Sequence, residues 1–373
     1  MPYEGGVATM TADMLHALEE LGHVVEIATV GKAPSLAMRL RLVRTADRTV
    51  SEFGSLRGHF LPLNTWRWSR SFYDHLRQYD AVVAVCGSPY IAAPLGCSGV
   101  PVFVWSAVTQ REDLKGRLES FGAFKRAVYR ASQRRIEVEE QRAVCGSKHV
   151  WALSDATFND IRLLAKGREG QVSRLLPPID TMLFSPPATA PTKRLVLFTG
   201  RYEDRRKDVE TLLHAFRQVL VRVPDACLRI IGPATPGNHV ERLARELNLG
   251  PSVEFLPPLP RAALLEHYRA ASAFVIPSRQ EGLCISGVEA MACGVPVVST
   301  RCGGPETYVE DGQSGFLVDV QDASGMAAHL ARILEDPALR DVLSKRARER
   351  AAQLFSWPSF KETIQHQITR HLN

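Results

Sequence analysis

Short apolar runs separated by amphipathic stretches recur along most of this chain, the alternation that a parallel sheet flanked by helices produces. In the second half Leu195–Phe198, Cys227–Ile231, Val253–Phe255, Ala273–Ile276 and Val297–Ser299 predict buried strands, each followed by a stretch of helical periodicity. In the first half Val24–Val30, Ala81–Val85, Pro101–Trp105 and Val150–Leu153 play the same part. Between the halves lies Leu176-Pro177-Pro178-Ile179-Asp180, with Pro186-Pro187 and Pro191 just beyond, a composition that marks a linker. At 373 residues the chain is too long for one ordinary core and suits two domains, and with 45% hydrophobic residues it can bury both.

One strand-to-helix connection carries the most chemical detail. The run Ala273–Ile276 stops at Pro277, which cannot donate to a sheet ladder. Ser286 is placed to cap a helix through Val288, Ala290, Met291 and Ala292. Gly294 suits the left-handed position past its end, and Pro296 opens the next strand. Glu281 falls in the loop and Glu289 about one turn into the helix, with seven residues between them. A helix that starts where a parallel strand ends offers unpaired N–H groups and the positive end of its dipole, a natural seat for a diphosphate. Each carboxylate can accept two hydroxyl protons, so one can face a ribose and the other a second sugar. Taken alone, two glutamates at this spacing fit a solvated surface loop better, since such loops are common in strand-to-helix connections.

Upstream, the strand through Leu195–Thr199 leads into Gly200-Arg201, the basic loop Arg205-Arg206-Lys207 and a helical pattern at Val209, Leu212, Leu213, Phe216 and Leu220. Fixed cations here can clamp a diphosphate. A departing nucleoside diphosphate carries about one more negative charge than its ester, so such cations favour the transition state over the ground state. Downstream, Thr300–Glu306 and Asp311–Val318 are glycine-bearing loops whose glycines permit close backbone approach or make turns.

The whole run from Pro277 to Pro296, with Gly200-Arg201 and Lys207 before it, resembles the donor-binding signature of retaining glycosyltransferases with the two-domain GT-B fold. The resemblance is to the large family 4, the glycosyl transferases group 1. It implies an α/β architecture of two Rossmann-like, doubly wound domains facing a central cleft. Residues 1–178 would form the acceptor-side domain, completed by a last helix at 357–373 that crosses back, and 179–356 the donor-binding domain. The implied catalytic residues are Glu281, Arg201 and Lys207. Gly282, Cys284, Ile285, Ser286 and Glu289 join them in holding the donor, and Gly5-Gly6 form a phosphate or acceptor loop. The implied reaction moves a sugar from a nucleoside-diphosphate sugar to a glycan, lipid-linked or small-molecule acceptor, as in bacterial envelope polysaccharide or glycolipid synthesis. It needs no cofactor, because the nucleotide sugar is a substrate. The leaving diphosphate itself accepts the acceptor's proton through an oxocarbenium-like state.

The chain departs from the family pattern in four places. The loop from Arg201 is one residue longer than the commonest form, leaving Arg206 or Lys207 as the second cation; Lys207 is favoured because it directly precedes the helix. Pro177-Pro178-Ile179-Asp180 replaces a common Asn-Gly-Val-Asp, which should stiffen the hinge. No histidine follows the strand Val102–Val104, where Trp105-Ser106-Ala107-Val108-Thr109 stands instead. The sequence opens on a loop and a helical pattern at Met10, Met14, Leu15, Leu18 and Leu21, without the strand that should feed the glycine turn. The reading is that the true start lies upstream of Met1; the alternative is a sheet one strand short.

Composition narrows the partners. The formal charge is +6 and the pI about 9.0. Much of the surplus falls in Lys32, Arg39, Arg41, Arg44, Arg48, Arg57, Arg67 and Arg70, near Trp66 and Trp68, and in Arg126, Arg130 and Arg134 beside Phe121, Phe124 and Val128. A basic amphipathic face of this kind suits peripheral contact with an anionic membrane, or is simply solvated. The basic residues are not interleaved with an aromatic stacking platform, which argues against nucleic acid. Neither a run of apolar residues long enough to span a bilayer nor a leader pattern is present, so a cytoplasmic protein is expected. The seven cysteines contain no Cys-x-x-Cys and read as reduced thiols. No Asp-x-Asp pair is present, so no metal is expected and turnover should be metal-independent. Two other functions compete with transfer: a GT-B nucleotide-sugar epimerase, and a catalytically silent scaffold that keeps the donor pocket.

Overall fold

The computed structural model describes residues 6–31, 41–45, 48–54, 70–115, 121–189, 191 and 193–372. They divide into two compact units, one ending at Pro177 and rejoined by Pro358–Asn373, the other built on Pro178–Trp357.

In the first unit, α1 (Gly6–Glu20) precedes β1 (Ile27–Gly31), β2 (Arg41–Thr45), β3 (Arg48–Gly54), α2 (Arg70–Leu76) and β4 (Val82–Cys86). A 3₁₀ segment Pro89–Cys97, β5 (Val102–Ser106), α3 (Gln110–Lys115), α4 (Ala123–Gly146), β6 (His149–Ala152), α5 (Asp155–Leu164) and β7 (Val172–Arg174) follow. Strands β4-β5-β6-β7 form a parallel sheet in that order. Every residue of β5 and β6 is buried, as a sheet covered on both faces requires. A separate sheet places β3 between β1, its parallel neighbour, and β2, its antiparallel one.

The expected strand near Val24 begins three residues later, at Ile27, because Val24 is 98% exposed. Among the described residues no strand precedes α1, and β1 and β4 do not pair with each other. The hairpin β2–β3 and the short strand β7 were not legible as strands: the first is rich in arginine, and the second has only three residues.

The second unit contains β8 (Leu195–Thr199), α6 (Val209–Arg222), β9 (Cys227–Ile231), α7 (His239–Glu246), β10 (Val253–Leu256), α8 (Arg261–Ala270), β11 (Ala273–Ile276) and α9 (Ile285–Ala292). After these come β12 (Val297–Thr300), β13 (Gly315–Val318), α10 (Ala323–Glu335) and α11 (Pro337–Leu354). All six strands are parallel, in the order β10-β9-β8-β11-β12-β13. The chain winds outward from β8 to one edge, returns to β11 and winds to the other. A sheet that reverses in this way leaves a crevice outside the carboxyl ends of its two central strands, here β8 and β11.

The helical periodicities explain the packing. Val209, Leu212, Leu213, Phe216 and Val219 of α6 are buried along one face against Val196, Phe198 and Val275 of the sheet. Strand β13 lies within a stretch that the sequence shows only as a glycine-bearing loop. It is held close to β12, and a Cβ on Gly315 would stand 2.1 Å from the Val297 carbonyl oxygen.

The proline-rich segment after Pro178 is no free linker. Ile179 N–H donates to Phe355 O (2.8 Å), and Arg348 donates to the carbonyls of Thr181, Phe184 and Ala292, fastening it to the second unit. The last helix, α12 (Trp357–Leu372), belongs to the first unit from Pro358 on. There it buries Phe360, Ile364 and Ile368, sets Phe360 5.3 Å from Trp105 and pairs Lys361 with Glu20 at 2.8 Å.

Candidate functional site

The loops after β8 and β11 meet at the carboxyl ends of those strands. The loop after β8 turns through Gly200 and a 3₁₀ segment, Arg205–Lys207, whose start is capped by Asp204 accepting from Arg206 N–H (3.1 Å). Lys207 ends that turn and reaches across to Glu281, its Nζ donating to Oε1 at 2.6 Å. Ser278 Oγ donates to the same Oε1, also at 2.6 Å. With both bonds on one oxygen, the other can accept a ligand hydroxyl. Burial works against the Lys207 ammonium, but the facing Glu281 carboxylate opposes it and the pKa lies above the usual lysine value. Lys207 is therefore a fixed cation at neutral pH.

Helix α9 opens onto the same place. Cys284, at φ +68 and ψ +76, turns the chain into it; a side-chain cap from Ser286 does not form, because Ser286 is already inside the first turn, 3.4 Å from the Cys284 sulfur. Glu289 lies one turn further, 9% exposed. Tyr268 Oη donates to its Oε2 (2.9 Å), and Arg261 lies 3.2 Å from its Oε1. Burial raises the Glu289 pKa against the opposing pull of Arg261 and Tyr268. Tyr268 also contacts Thr199 Oγ1 at 3.4 Å, which ties Glu289 to the end of β8. Burial pushes the Cys284 thiol up to about 11, so it lines the site as a neutral group and not as a nucleophile.

Two close backbone approaches shape the crevice. A Cβ on Gly232, at the end of β9, would lie 1.9 Å from Gly200 O, and one on Gly304, after β12, would lie 2.5 Å from Leu283 Cα. The loop after β12 is thereby pressed onto the loop after β11, where Glu281 N–H donates to Cys302 O at 2.8 Å.

The sequence-predicted residues thus separate into groups. Lys207 and Glu281 are in direct contact, and Glu289 stands behind α9's first turn; Gly282 and Cys284 in the loop before that helix and Ile285 and Ser286 at its start are partly exposed. Arg201 is on the same loop as Lys207, but its side chain is 62% exposed and meets Asp204 at 3.4 Å. Of the glycine pair in the first unit, Gly6 begins α1 and Gly5 lies outside the described residues. Sequence reading missed Ser278, Tyr268 and Arg261. Ser278 was visible three residues before Glu281, whereas Tyr268 and Arg261 sit on α8 and reach Glu289 only through the fold.

Residues 183–350 match the family model described as glycosyl transferases group 1. The D-inositol 3-phosphate glycosyltransferase of Acidothermus cellulolyticus is 34% identical over 251 residues, 61% of this chain and 55% of that protein. Its counterpart in Corynebacterium jeikeium is 35% identical over 234 residues, 58% of this chain and 53% of that protein. The chain spans about half the length of the curated relatives it matches. Among solved structures, sucrose-phosphate synthase from Thermosynechococcus elongatus superposes with a TM-score of 0.74 at 23% identity, over 98% of this chain and 93% of that one. WaaG, a glycosyltransferase of lipopolysaccharide biosynthesis, gives 0.69 at 20% identity over 98% and 96%. Anabaena HepE in complex with UDP gives 0.68 at 20% over 86% of each chain.

Fold and match define the class: the chain has the GT-B fold of glycosyltransferases. Within its second unit, the stretch matching the glycosyl transferases group 1 model carries the loops after β8, β11 and β12.

Proposed function

We propose that the protein is a metal-independent, retaining hexosyltransferase that takes its sugar from a nucleoside-diphosphate sugar. The observation that carries this reading is the Lys207–Glu281 pair at the point where the β8–β11 sheet reverses, beside the open start of α9. A diphosphate seated there would meet the Lys207 ammonium and the N–H groups of the first turn of α9. Glu281 Oε2 would accept a hydroxyl of the sugar, and Glu289 would hold the ribose by exchanging its half-exposed Arg261 partner for ligand hydroxyls. Arg201, already on the loop and exposed, would swing onto the diphosphate as charge develops there. The solved relative HepE is described with UDP and with UDP-glucose, which supports a donor of this class.

The reaction asks little else of these residues. As the bond to the anomeric carbon breaks, charge builds on the diphosphate, and Lys207 and the helix start favour it there. The acceptor oxygen bonds to the anomeric carbon on the face the diphosphate leaves, and the diphosphate takes the acceptor's proton, so the step needs no separate general base.

The acceptor side rests on the first unit. Helix α4 presents Arg130 and Arg134 to solvent and leaves Phe124 84% exposed, while Arg126 turns back to donate to Phe121 O at 3.1 Å. A cationic, partly apolar face suits an anionic acceptor or the surface of an anionic membrane carrying one. The name of the curated relatives, D-inositol 3-phosphate glycosyltransferase, supports a small phosphorylated polyol. Among the described residues no helix is long and apolar enough to cross a membrane. The remaining basic positions with Trp66 and Trp68 lie largely outside the described residues.

A thermal-shift screen against UDP-, GDP- and ADP-sugars tests the donor half, since a ligand of the folded state raises its melting point. One nucleotide series should stabilise the protein, and acceptor-dependent release of the nucleoside diphosphate should follow. Donor bound but never consumed across phosphorylated polyols and lipid-linked acceptors would instead establish a silent scaffold.

A further inference from the structure

Lys207 is flanked on both sides by bonds to one residue of the facing loop. On one side, Arg279 N–H donates to Arg206 O at 2.7 Å. On the other, the Arg279 guanidinium grips Asp208, with Nε 3.0 Å from Oδ2 and Nη2 3.5 Å from Oδ1. Asp208 is 4% exposed and adopts φ +45, ψ +44, a left-handed conformation that glycine takes at no steric cost and aspartate only with some. Its main chain also starts α6, with Thr211 N–H donating to Asp208 O at 3.0 Å. A turn alone would be met better by glycine. The carboxylate at this position has a use that a turn does not explain, namely the ion pair to Arg279.

We propose that Asp208 and Arg279 are positioning residues: together they clip the loop after β8 to the loop after β11, so that Lys207 is held on Glu281 before any donor arrives. The Arg279 side of the clip is itself anchored, because Thr300 Oγ1 donates to Ser278 O and Ser278 Oγ to Glu281. Without the clip, Lys207 rides on a short 3₁₀ turn and samples orientations away from the site. The inference rests on the transfer reading only for what Lys207 then does; the clip itself is a property of the free protein. A lysine fixed in advance binds a diphosphate without the ordering cost that a free side chain would bear.

The test separates the two. Acetic anhydride footprinting of the unliganded protein, read by mass spectrometry, reports the accessibility of Lys207. The clip predicts that Asp208→Gly and Arg279→Ala each raise Lys207 labelling several-fold in protein that is still folded, with Arg279→Ala the less stable of the two because it strands the buried Asp208 carboxylate. Asp208→Asn, which keeps an acceptor for Arg279 Nε and tolerates the left-handed turn, should restore part of the protection. The double variant should label no more than either single one, as expected of two residues acting as one unit. Unchanged labelling in folded Asp208→Gly, the variant best suited to the backbone, would overturn the proposal. Calorimetric titration of the same proteins with UDP, GDP and ADP adds the functional arm: roughly tenfold weaker binding in both single variants of whichever nucleotide the parent binds. If the parent binds none, the donor reading fails while the footprint still decides on the clip.

Discussion

Lys207 and Glu281 are both largely buried, with side chains 17% and 11% exposed, and that shapes what their variants should do. Removing one member of a buried pair strands the other, at a cost of about 3–5 kcal/mol. Replacing both by uncharged groups of similar size can be nearly neutral. Lys207→Met and Glu281→Gln should therefore each destabilise the protein in urea unfolding, and the double variant should recover most of the loss. Transfer should behave differently, falling by roughly a hundredfold or more in Lys207→Met and not returning in the double variant, because the charge that meets the diphosphate is gone. Recovery of activity together with stability would show that the pair is structural only.

Two elements make their own predictions. The loop after β12 lies against Leu283 at Gly304, and an added methyl has backbone on its path, not a flexible side-chain end. Gly304→Ala should cost about 1–3 kcal/mol of stability by overpacking, with donor binding weakened as the Glu281 loop shifts. Urea titration and calorimetry check both halves.

Helix α12 docks on the first unit over His149, which is 1% exposed, bonds Ser173 through Nε2 at 2.8 Å and leaves Nδ1 buried without a partner. Burial, with His371, Arg370 and His366 adding to it, depresses its pKa to about 4. Because the folded value lies below the unfolded one, the neutral histidine's contribution is present above about 6.5 and is lost as pH falls toward 4. The loss should reach roughly 3 kcal/mol at the acid end. His149→Phe should flatten the fall in melting temperature between pH 7 and 4.5; an equally steep fall in that variant would place the acid sensitivity elsewhere.

For the molecule as a whole, the sequence was most legible where one strand, one loop and one helix follow each other. The runs at Ala273–Ile276 and Cys227–Ile231 coincide with β11 and β9, since apolar residues bounded by proline or turn residues leave few alternatives. Glu281 and Lys207 were visible as a chemical pattern 74 residues apart, and the fold brings them to 2.6 Å. The Tyr268 and Arg261 contacts to Glu289 were hidden, because they depend on how α8 lies beside α9. So was the role of Asp208, whose left-handed turn and buried ion pair leave no mark on periodicity. In the first unit the hairpin β2–β3 escaped notice because arginine-rich strands lack an apolar face.

The central claim is that the crevice at the ends of β8 and β11 binds a nucleoside-diphosphate sugar through Lys207. Calorimetric titration of the parent and of Lys207→Met with the nucleotide sugar that most raises the parent's melting temperature tests it most directly. The account predicts one site per chain in the parent and binding at least roughly tenfold weaker in the variant, the loss of one charge-assisted contact to the diphosphate. Equal affinity in parent and folded variant would contradict it.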